Sequence, residues 1–273
     1  MDTVIADTII VSDLHLGSEV SRAREATQFL ESAVFNRLIL LGDIFCDLNF
    51  RRLKKQHWQF LSLIRKLSNP KRGVEVVWVE GNHDHGLAQL MSHLVGVRVY
   101  QEYGWEYRGV RYLGIHGHQF DRFLVDNALL SAIGELIYLQ IQKIDARDSK
   151  IARWLDLLNS RWLRLTPKVA AGALTLAQSR GIDVVFCGHT HLPHYANAYG
   201  AQYFNTGCWV HERLTYAAVD DDGPRLGEFI AKAPAVNSRG PGVLTEVDGE
   251  MVGGLPAELT IVPKAFSLLV PEA

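Results

Sequence analysis

Five short clusters along the chain contain histidine, aspartate and asparagine, side chains that commonly hold divalent metal ions. The clusters are Asp13-Leu14-His15, Gly42-Asp43, Gly81-Asn82-His83-Asp84, His116-Gly117-His118 and Gly188-His189-Thr190-His191. A single histidine after a strand is more often a hydrogen-bonded loop residue than a ligand, so each cluster alone is a weak signal. Together they offer carboxylate, amide and imidazole donors, a set that suits borderline ions such as Mn, Fe or Zn. Two such ions that share a carboxylate can catalyse an in-line displacement.

Each cluster directly follows a short apolar run of the kind that forms a buried strand. The five runs are residues 8–12, 37–41, 74–79, 110–115 and 182–187. Helical patterns lie between several of them, at 21–33, at 53–67 and along a long stretch from 123 to 180. Alternating strands and helices predict a layered α/β domain. Ligands of such domains bind beyond the carboxyl ends of the strands, which is where the clusters fall.

The pattern changes after the last cluster. Residues 202–205, 214–219 and 228–231 are predicted to form shorter strands of a second sheet. Residues 233–242 are rich in turn formers and predict a loop. Candidate strands follow near 259–262 and 267–270. We therefore expect a catalytic domain at 1–232 with a helical insertion at about 122–178, followed by a loop and C-terminal tail at 233–273.

Composition limits the classes of partner and the cellular compartment. The 273 residues are 48% hydrophobic and 21% charged with a formal net charge of −2, so we expect a folded domain and no nucleic-acid partner. The cysteines are widely spaced and odd in number (Cys46, Cys187 and Cys208), which argues against a disulfide framework and favours a reducing compartment. The sequence shows no basic leader and no long uncharged apolar run. These features predict a cytoplasmic protein.

The ordered series of clusters resembles the calcineurin-like metallophosphoesterase family over roughly residues 8–210. The resemblance implies a four-layer αββα sandwich, in which two stacked sheets are flanked by helices; here the helical stretch would be inserted as a cap. It also implies hydrolysis of a phosphoester or pyrophosphate bond by a hydroxide that bridges two metal ions. Two divalent ions are the expected cofactors, with Mn first and Fe or Zn as alternatives.

The resemblance assigns a role to each residue that matches the family pattern. Seven would be metal ligands: Asp13, His15 and His191 on one ion, Asn82, His116 and His189 on the other, and Asp43 between them. His83 would contact the scissile phosphate and protonate the leaving oxygen. Asp84 would hold His83 in the required tautomer, although a carboxylate at this position could equally cap the following helix.

The stretch at 122–178 carries the information about the substrate. Its broad apolar face with interleaved basic residues has two interpretations: a hairpin packed on the core or in a homodimer interface, or a cap that accepts acyl chains and phosphates. The insertion, together with Gly188-His189-Thr190-His191-Leu192-Pro193 and Asn205-Thr206-Gly207-Cys208-Trp209, is similar to the UDP-2,3-diacylglucosamine hydrolases. Those enzymes cleave a pyrophosphate in lipid A synthesis, releasing UMP and a lipid monophosphate. The resemblance implies a nucleotide-lipid substrate and peripheral contact with the inner membrane face.

Two positions depart from the best-known branch of those hydrolases, which carries arginine in place of His83 and aspartate in place of His118. Other substrates therefore stay open, including nucleotides and generic phosphodiesters. A protein Ser/Thr phosphatase is a further alternative, but the Asp-Arg-Gly continuation usual there is replaced after Asp43 by Ile44-Phe45. The last alternative is a non-catalytic scaffold. It is disfavoured because such proteins typically lose a ligand or the catalytic histidine, and none is missing.

Overall fold

The computed structural model describes residues 3–47, 49–84, 86, 93, 95–120 and 166–231, together with the backbone of two strands at 244–247 and 250–254. The chain divides into two units, Met1–Ile230 and Ala231–Ala273. The second unit contains an antiparallel hairpin of two strands, which are numbered last below.

The elements are numbered in chain order. The strands are β1 (Thr8–Val11), β2 (Arg37–Leu41), β3 (Glu75–Val79), β4 (Val99–Tyr100), β5 (Glu102–Tyr107), β6 (Val110–Ile115), β7 (Val184–Cys187), β8 (His194–Ala198), β9 (Ala201–Asn205), β10 (Leu214–Asp220), β11 (Gly223–Phe229), β12 (Leu244–Val247) and β13 (Glu250–Gly254). The α-helices are α1 (Ala23–Ser32), α2 (Lys55–Leu67) and α3 (Thr166–Arg180). Short 3-10 turns occur at Phe50–Arg52, Pro70–Arg72 and His118–Phe120.

The first unit contains two mixed sheets. The first sheet has the strand order β11-β10-β1-β2-β3-β4, in which β1 to β4 run parallel and β10 and β11 are antiparallel additions at one edge. The second sheet has the order β5-β6-β7-β9-β8, with β6, β7 and β9 parallel at its centre. Parallel strands end at a common edge, so each sheet gathers the loops after its central strands in one place.

Both faces of the central strands are buried, which explains why their sequences are continuous apolar runs. Along β1, Ile9 and Val11 pack with the helices on one face, whereas Ile10 packs toward the second sheet. Along β6 and β7, Tyr112 and Phe186 face the first sheet. Alternate side chains of a strand point to opposite faces, so each run fills two cores at once.

The outer layers are helical. Helices α1 and α2 cover the first sheet with buried side chains that include Phe29, Phe60 and Ile64. Helix α3 covers the second sheet through Ala170, Ala173 and other small residues. Small side chains on one face let this helix approach the sheet closely. The order of layers is therefore helix, sheet, sheet, helix, and the predicted α/β sandwich is confirmed.

Some details of the predicted organisation differ from the structure. We expected residues 202–205, 214–219 and 228–231 in one second sheet. However, β10 pairs with β1 and β11 pairs with β10, so both lie in the first sheet and only β9 belongs to the second. The apolar pattern of β10 could not distinguish the two, because this strand is also buried on both faces. Helix α3 begins within the predicted insertion at 122–178. The rest of that insertion, up to residue 165, lies outside the described residues, as do the strands predicted near 259–262 and 267–270.

Within the described ranges, the helices lack the combination of length and apolar character that a membrane crossing requires.

The buried histidine His57 links helix α2 to the loop that follows β1. Its Nδ1 atom accepts hydrogen bonds from the backbone N–H groups of Gly17 (3.3 Å) and Lys54 (3.1 Å). Nδ1 must therefore carry no proton, and the neutral ring keeps its proton on Nε2. Burial, followed by the charge of Lys54, lowers the pKa of His57 to about 4; Glu19 acts in the opposite direction and Arg52 in the same one.

Replacing His57 by glutamine should make the fold less sensitive to acid. The unfolded chain protonates this histidine near its ordinary pKa of 6.5, whereas the folded chain does so only near 4. The wild type therefore loses stability as the pH falls across that interval. Glutamine still offers an acceptor oxygen and does not titrate, so His57→Gln should show a shallower fall.

The measurement is the free energy of unfolding in urea at several pH values across that interval. Gln59→Ala, which alters an exposed side chain of the same helix that does not titrate, should keep the slope of the wild type. Equal slopes for the wild type and His57→Gln would contradict the account given for the buried ring.

Candidate metal centre

The predicted ligands lie at the carboxyl ends of the parallel strands of both sheets. In the first sheet, the register places Val11 beside Leu40 and Leu41 beside Val79, so β1, β2 and β3 end at nearly the same level. In the second sheet, β6 and β7 are likewise parallel and in register near their ends. The residues that follow are Asp13 and His15 after β1, Asp43 after β2, Asn82 after β3, His116 after β6, and His189 and His191 after β7.

Five of these residues adopt left-handed backbone conformations. Their φ angles are 52° for Asp13, 48° for His15, 50° for Asp43, 67° for His189 and 57° for His191. Positive φ is uncommon outside glycine, although aspartate and histidine tolerate it better than most residues. Strained backbone concentrates at functional sites, where the surrounding structure holds it in place. Here it turns successive side chains of one loop toward a common centre.

One group of potential ligands consists of Asp13, His15 and His191, whose ligand atoms all lie within 4.8 Å of one another. Asp13 Oδ1 is 3.1 Å from His191 Nε2, and the Nε2 atoms of His15 and His191 are 3.0 Å apart. The group is buried. Two side chains come from the first sheet and one from the second, so the group spans the junction between the sheets.

A second group consists of Asp43, His116 and His189, again with ligand atoms within 4.8 Å of one another. Asp43 Oδ2 lies 3.2 Å from His116 Nε2. Asp43 also forms a group with His15 and His83, which places its carboxylate between the two sets. This is the position that the sequence resemblance assigned to a bridging ligand.

The arrangement fits a pair of divalent cations. Two donor atoms about 2.1 Å from a shared ion lie roughly 3.0–3.4 Å apart, which matches the closest distances in both groups. Buried polar atoms rarely lack a hydrogen-bond partner. Within the described residues, the buried ligand atoms that make no hydrogen bond of regular geometry include Asp13 Oδ1, Asp43 Oδ2, Asn82 Oδ1 and His116 Nε2. A bound cation would satisfy these atoms.

The charges of the two groups are strongly coupled. Burial alone would raise the pKa of Asp13, but the electrostatic attraction of the nearby His191 prevails and lowers it to about 2. Burial opposes ionisation of Asp43 as well, yet His116 and His83 hold its pKa well below the usual value. Burial would lower the pKa of His116, but Asp43 outweighs it and raises that pKa to about 9. The surroundings of both carboxylates thus favour the ionised form, which is the form that binds a metal ion.

The two predicted catalytic residues occupy different settings. The carboxylate of Asp84 accepts hydrogen bonds from the backbone N–H groups of Ile44 (2.9 Å) and Phe45 (2.8 Å). His83 Nδ1 lies 2.8 Å from the carbonyl oxygen of Cys46. A carbonyl only accepts, so this contact fixes the proton on Nδ1. The orientation of the His83 ring that we had expected from Asp84 is thus supplied by Cys46, and Asp84 instead holds the loop after β2.

The carboxylate of Asp84 is buried, and both of the hydrogen bonds described above reach it from backbone amides. Burial, followed by the negative charge of Asp43, raises its pKa to about 7. Positive charge brought into the site would favour the ionised form, which is the form that accepts both N–H groups. Metal binding and the order of the loop after β2 should therefore support each other.

Glycines before two of the ligands allow neighbouring strand ends to approach. A Cβ atom at Gly81 would lie 2.2 Å from Asp43 Oδ1, and one at Gly188 would lie 2.4 Å from Asp13 Oδ2. Contacts below 3.0 Å essentially do not occur for real Cβ atoms. The Gly-Asn and Gly-His pairs of the sequence therefore reflect the space that the two carboxylates need.

Several residues that support the site were not predicted. Asn205 Nδ2 donates to the carbonyl oxygen of Gly188 (2.6 Å), and the Gly207 N–H donates to Asn205 Oδ1 (3.0 Å). Below Asp13, the hydroxyl groups of Ser12 and Thr206 are 2.6 Å apart. The segment after β9 had been noted only for its family resemblance. In the sequence, the only indication of a supporting role was an asparagine at the end of an apolar run, two residues before Gly207.

Two further histidines lie against the ligands. The His118 ring is 5.6 Å from that of His116 and 6.3 Å from that of His189. The His211 ring is half-buried and lies 5.8 Å from that of His191. Its loop returns beside the first sheet after β9, a long-range contact that no local pattern indicates.

Two stacked sheets with carboxylate and imidazole side chains clustered at their strand ends define a layered α/β protein with a candidate divalent-metal centre. Residues 7–221 match the calcineurin-like phosphoesterase superfamily domain. The chain belongs to this superfamily. No curated protein matches the chain.

Solved structures with a similar fold include an archaeal phosphodiesterase, at 15% identity over 81% of this chain and 99% of the other, with a TM-score of 0.46. A predicted phosphoesterase from Streptococcus pneumoniae matches at 14% identity over 82% and 98%, with a TM-score of 0.37. Vps29 of Entamoeba histolytica in complex with Zn²⁺ matches at 11% identity over 81% and 97%, with a TM-score of 0.39. Similarity this distant does not extend to substrate or partner.

Adding a methyl group at Gly81 should damage the metal centre. Gly81→Ala forces the Asp43 carboxylate out of its position between the two ligand groups, so we expect the affinity for Mn²⁺ to fall on the order of 10- to 100-fold, as when a supporting partner is lost. Calorimetric titration of metal-free protein with Mn²⁺ measures this.

The matched control is Gly104→Ala in β5. Neither glycine has a positive φ, but the nearest neighbour of a Cβ at Gly104 is the Tyr112 carbonyl oxygen at an ordinary 3.7 Å. The control should bind Mn²⁺ like the wild type. Unchanged affinity in Gly81→Ala would show that Asp43 is not held where the metals bind.

Proposed function

We propose that the protein hydrolyses phosphoester or pyrophosphate bonds with two divalent metal ions, most simply Mn²⁺, held between its two sheets. Membership of the superfamily supports metal-dependent phosphoester hydrolysis. The observation that carries the dinuclear form of the proposal is the position of Asp43, which belongs to one ligand group with His116 and His189 and to another with His15 and His83. A carboxylate that faces two sets of imidazoles is suited to bridge two cations.

The proposal divides the ligands by ion. Asp13, His15 and His191 would hold one ion, and Asn82, His116 and His189 the other, with Asp43 shared. Bound there, two divalent ions supply an activated water and neutralise the charge that builds on the phosphoryl oxygens. The protein contributes a buried, preorganised set of donors, so little rearrangement is needed when the substrate arrives.

His83 would act on the leaving group. The Cys46 carbonyl accepts the proton of Nδ1, which leaves Nε2 on the side of the ligand groups, 3.9 Å from Asp43 Oδ2. The side chain is partly exposed, in contrast to the buried ligands around it. A substrate oxygen beside the metals could therefore contact Nε2 and receive a proton from it when the ring is protonated.

Replacing His83 by alanine should lower kcat more than it changes metal binding. General acid catalysis contributes on the order of 10²–10⁴-fold, and His83→Ala should lose a factor in that range on a phosphodiester with a poor leaving group. A good leaving group such as an aryl alcohol needs less protonation, so the loss there should be smaller. His93→Ala, which alters an exposed histidine, serves as the control.

Steady-state kinetics on the two leaving groups, with Mn²⁺ content measured for each variant, separate the outcomes. An equal loss on both leaving groups would argue that His83 positions the phosphate without donating a proton. A loss of Mn²⁺ in His83→Ala would instead make it part of the metal centre.

As the substrate we propose a pyrophosphate-linked nucleotide lipid of the UDP-2,3-diacylglucosamine type, cleaved by water to UMP and a lipid monophosphate. The support comes from the sequence: the apolar and basic stretch at 122–178 and the two segments after β7 and β9 resemble those hydrolases. A lipid substrate would also bring the protein to a membrane surface. A nucleotide or generic phosphodiesterase is the alternative within the same metal chemistry.

A substrate panel tests this choice. Protein reconstituted with Mn²⁺ should turn over UDP-diacylglucosamine in detergent with a higher kcat/KM than an aryl phosphodiester, a cyclic nucleotide or a phosphopeptide. Binding of the acyl chains, far from the bond that is cleaved, can lower the activation barrier and so raise kcat/KM for the lipid alone. If the lipid is turned over no better than the aryl diester, the proposed metal chemistry still holds, but the proposal of a lipid substrate is refuted.

A further inference from the structure

A third cluster of ligand-type side chains lies beside the candidate metal centre. Cys208 and His211 have ligand atoms within 4.8 Å of each other and of one His191 ring nitrogen. The rings of His191 and His211 meet edge to face, with centroids 5.8 Å apart and planes at 68°. Within the described residues, neither Cys208 nor His211 joins a group with Asp13 or His15. The cluster is therefore a separate position that shares only His191.

The loop that carries the thiol is held firmly against the first sheet. The Trp209 N–H donates to the carbonyl oxygen of Asp13 (3.1 Å), and Ser12 Oγ donates to the carbonyl oxygen of Gly207 (3.1 Å). Cys208 is only 1% exposed and packs with Val20 and Val210. The backbone on both sides of Cys208 is thus fixed, so the thiol is preorganised beside His191.

The donor set of this cluster differs from those of the two groups described above. One thiol and two imidazoles suit thiophilic ions such as Zn²⁺ or Cd²⁺, whereas the carboxylate-containing groups also accept harder ions such as Mn²⁺. We propose that Cys208, His211 and His191 form an accessory site for a thiophilic divalent ion. The thiol proton is released to solvent when the metal–sulfur bond forms.

Because His191 belongs to both positions, occupancy of the accessory site is coupled to the Asp13 and His15 group. A thiophilic ion either shares the His191 ring or draws it away from that group. Excess Zn²⁺ competes directly for the centre, and a further part of the loss of Mn²⁺ affinity should disappear in Cys208→Ser. This coupling concerns metal binding and does not depend on the substrate proposed above.

The other two cysteines provide internal controls. Burial raises the pKa of the Cys46 thiol to about 12, and burial likewise raises that of Cys187. Among the described residues, neither belongs to a cluster of possible metal ligands. A thiolate–metal signal from the folded protein should therefore come from Cys208.

The experiment is a titration of the Mn²⁺-loaded protein with Cd²⁺, followed by the ultraviolet charge-transfer absorption of a cadmium–thiolate bond. The wild type should develop this absorption and saturate at a single equivalent. Cys208→Ser should lose it, and Cys46→Ser should retain it. His211→Ala should weaken the apparent Cd²⁺ affinity by on the order of 10- to 100-fold, at least the loss that follows removal of a supporting partner.

Two results would overturn the proposal: absorption that persists in Cys208→Ser, or wild-type Cd²⁺ affinity in His211→Ala. The second variant alters a half-buried ring and keeps the test decisive if Cys208→Ser folds poorly. The signal is independent of turnover. Absence of phosphoester hydrolysis with an intact Cys208-dependent signal would therefore refute the proposed function alone, and the reverse pattern would refute only the accessory site.

Discussion

The stacking of the two sheets and the formation of the candidate metal centre depend on the same interaction, which is made by the buried carboxylate of Asp43. Its Oδ2 lies 3.2 Å from Nε2 of His116, which follows a strand of the second sheet, while Oδ1 accepts the His83 N–H at 2.9 Å. Asp13 and His191 repeat the pairing across the same junction. Unpaired buried charges cost several kcal/mol each, so the carboxylates of one sheet favour the fold only where the imidazoles of the other meet them. The site therefore exists only when the sheets are stacked.

The same pairing accounts for the strained backbone at the strand ends. Left-handed conformations such as those of Asp13 and His189 cost on the order of 1–3 kcal/mol each, and they persist because other interactions determine the loops. The His189 N–H donates to Asp13 Oδ2 (3.0 Å), and the His15 N–H to the carbonyl oxygen of Asp43 (3.0 Å). The ligand loops are thus hydrogen-bonded to one another, both within the first sheet and between the two sheets. Cations bound between the loops would offset the remaining repulsion between the carboxylates.

The sequence was informative where side-chain type and local pattern decide the outcome. Apolar runs that end in Asp or His located the central strands and the potential ligands, because strands buried on both faces cannot tolerate those residues earlier. The sequence was uninformative where the structure depends on backbone groups or on contacts between residues far apart in the chain. The acceptor for His83 is the Cys46 carbonyl, which any residue type would supply. The assignment of β10 to the first sheet depends on pairing with β1, some 200 residues away, and the proximity of His211 to His191 has the same long-range origin.

Three of the five loops that carry potential ligands are supported in the same way, by a side chain bonded to backbone, which sequence patterns do not reveal. Behind the loop after β1, His57 accepts the Gly17 N–H; behind the loop after β2, Asp84 accepts two N–H groups; behind the loop after β7, Asn205 donates to the Gly188 carbonyl. Each support is a buried polar side chain bonded to backbone. Its removal leaves a buried donor or acceptor unsatisfied, which costs about 1–3 kcal/mol, next to a candidate metal ligand. The rigidity of the centre therefore depends on residues that need not contact a metal or a substrate.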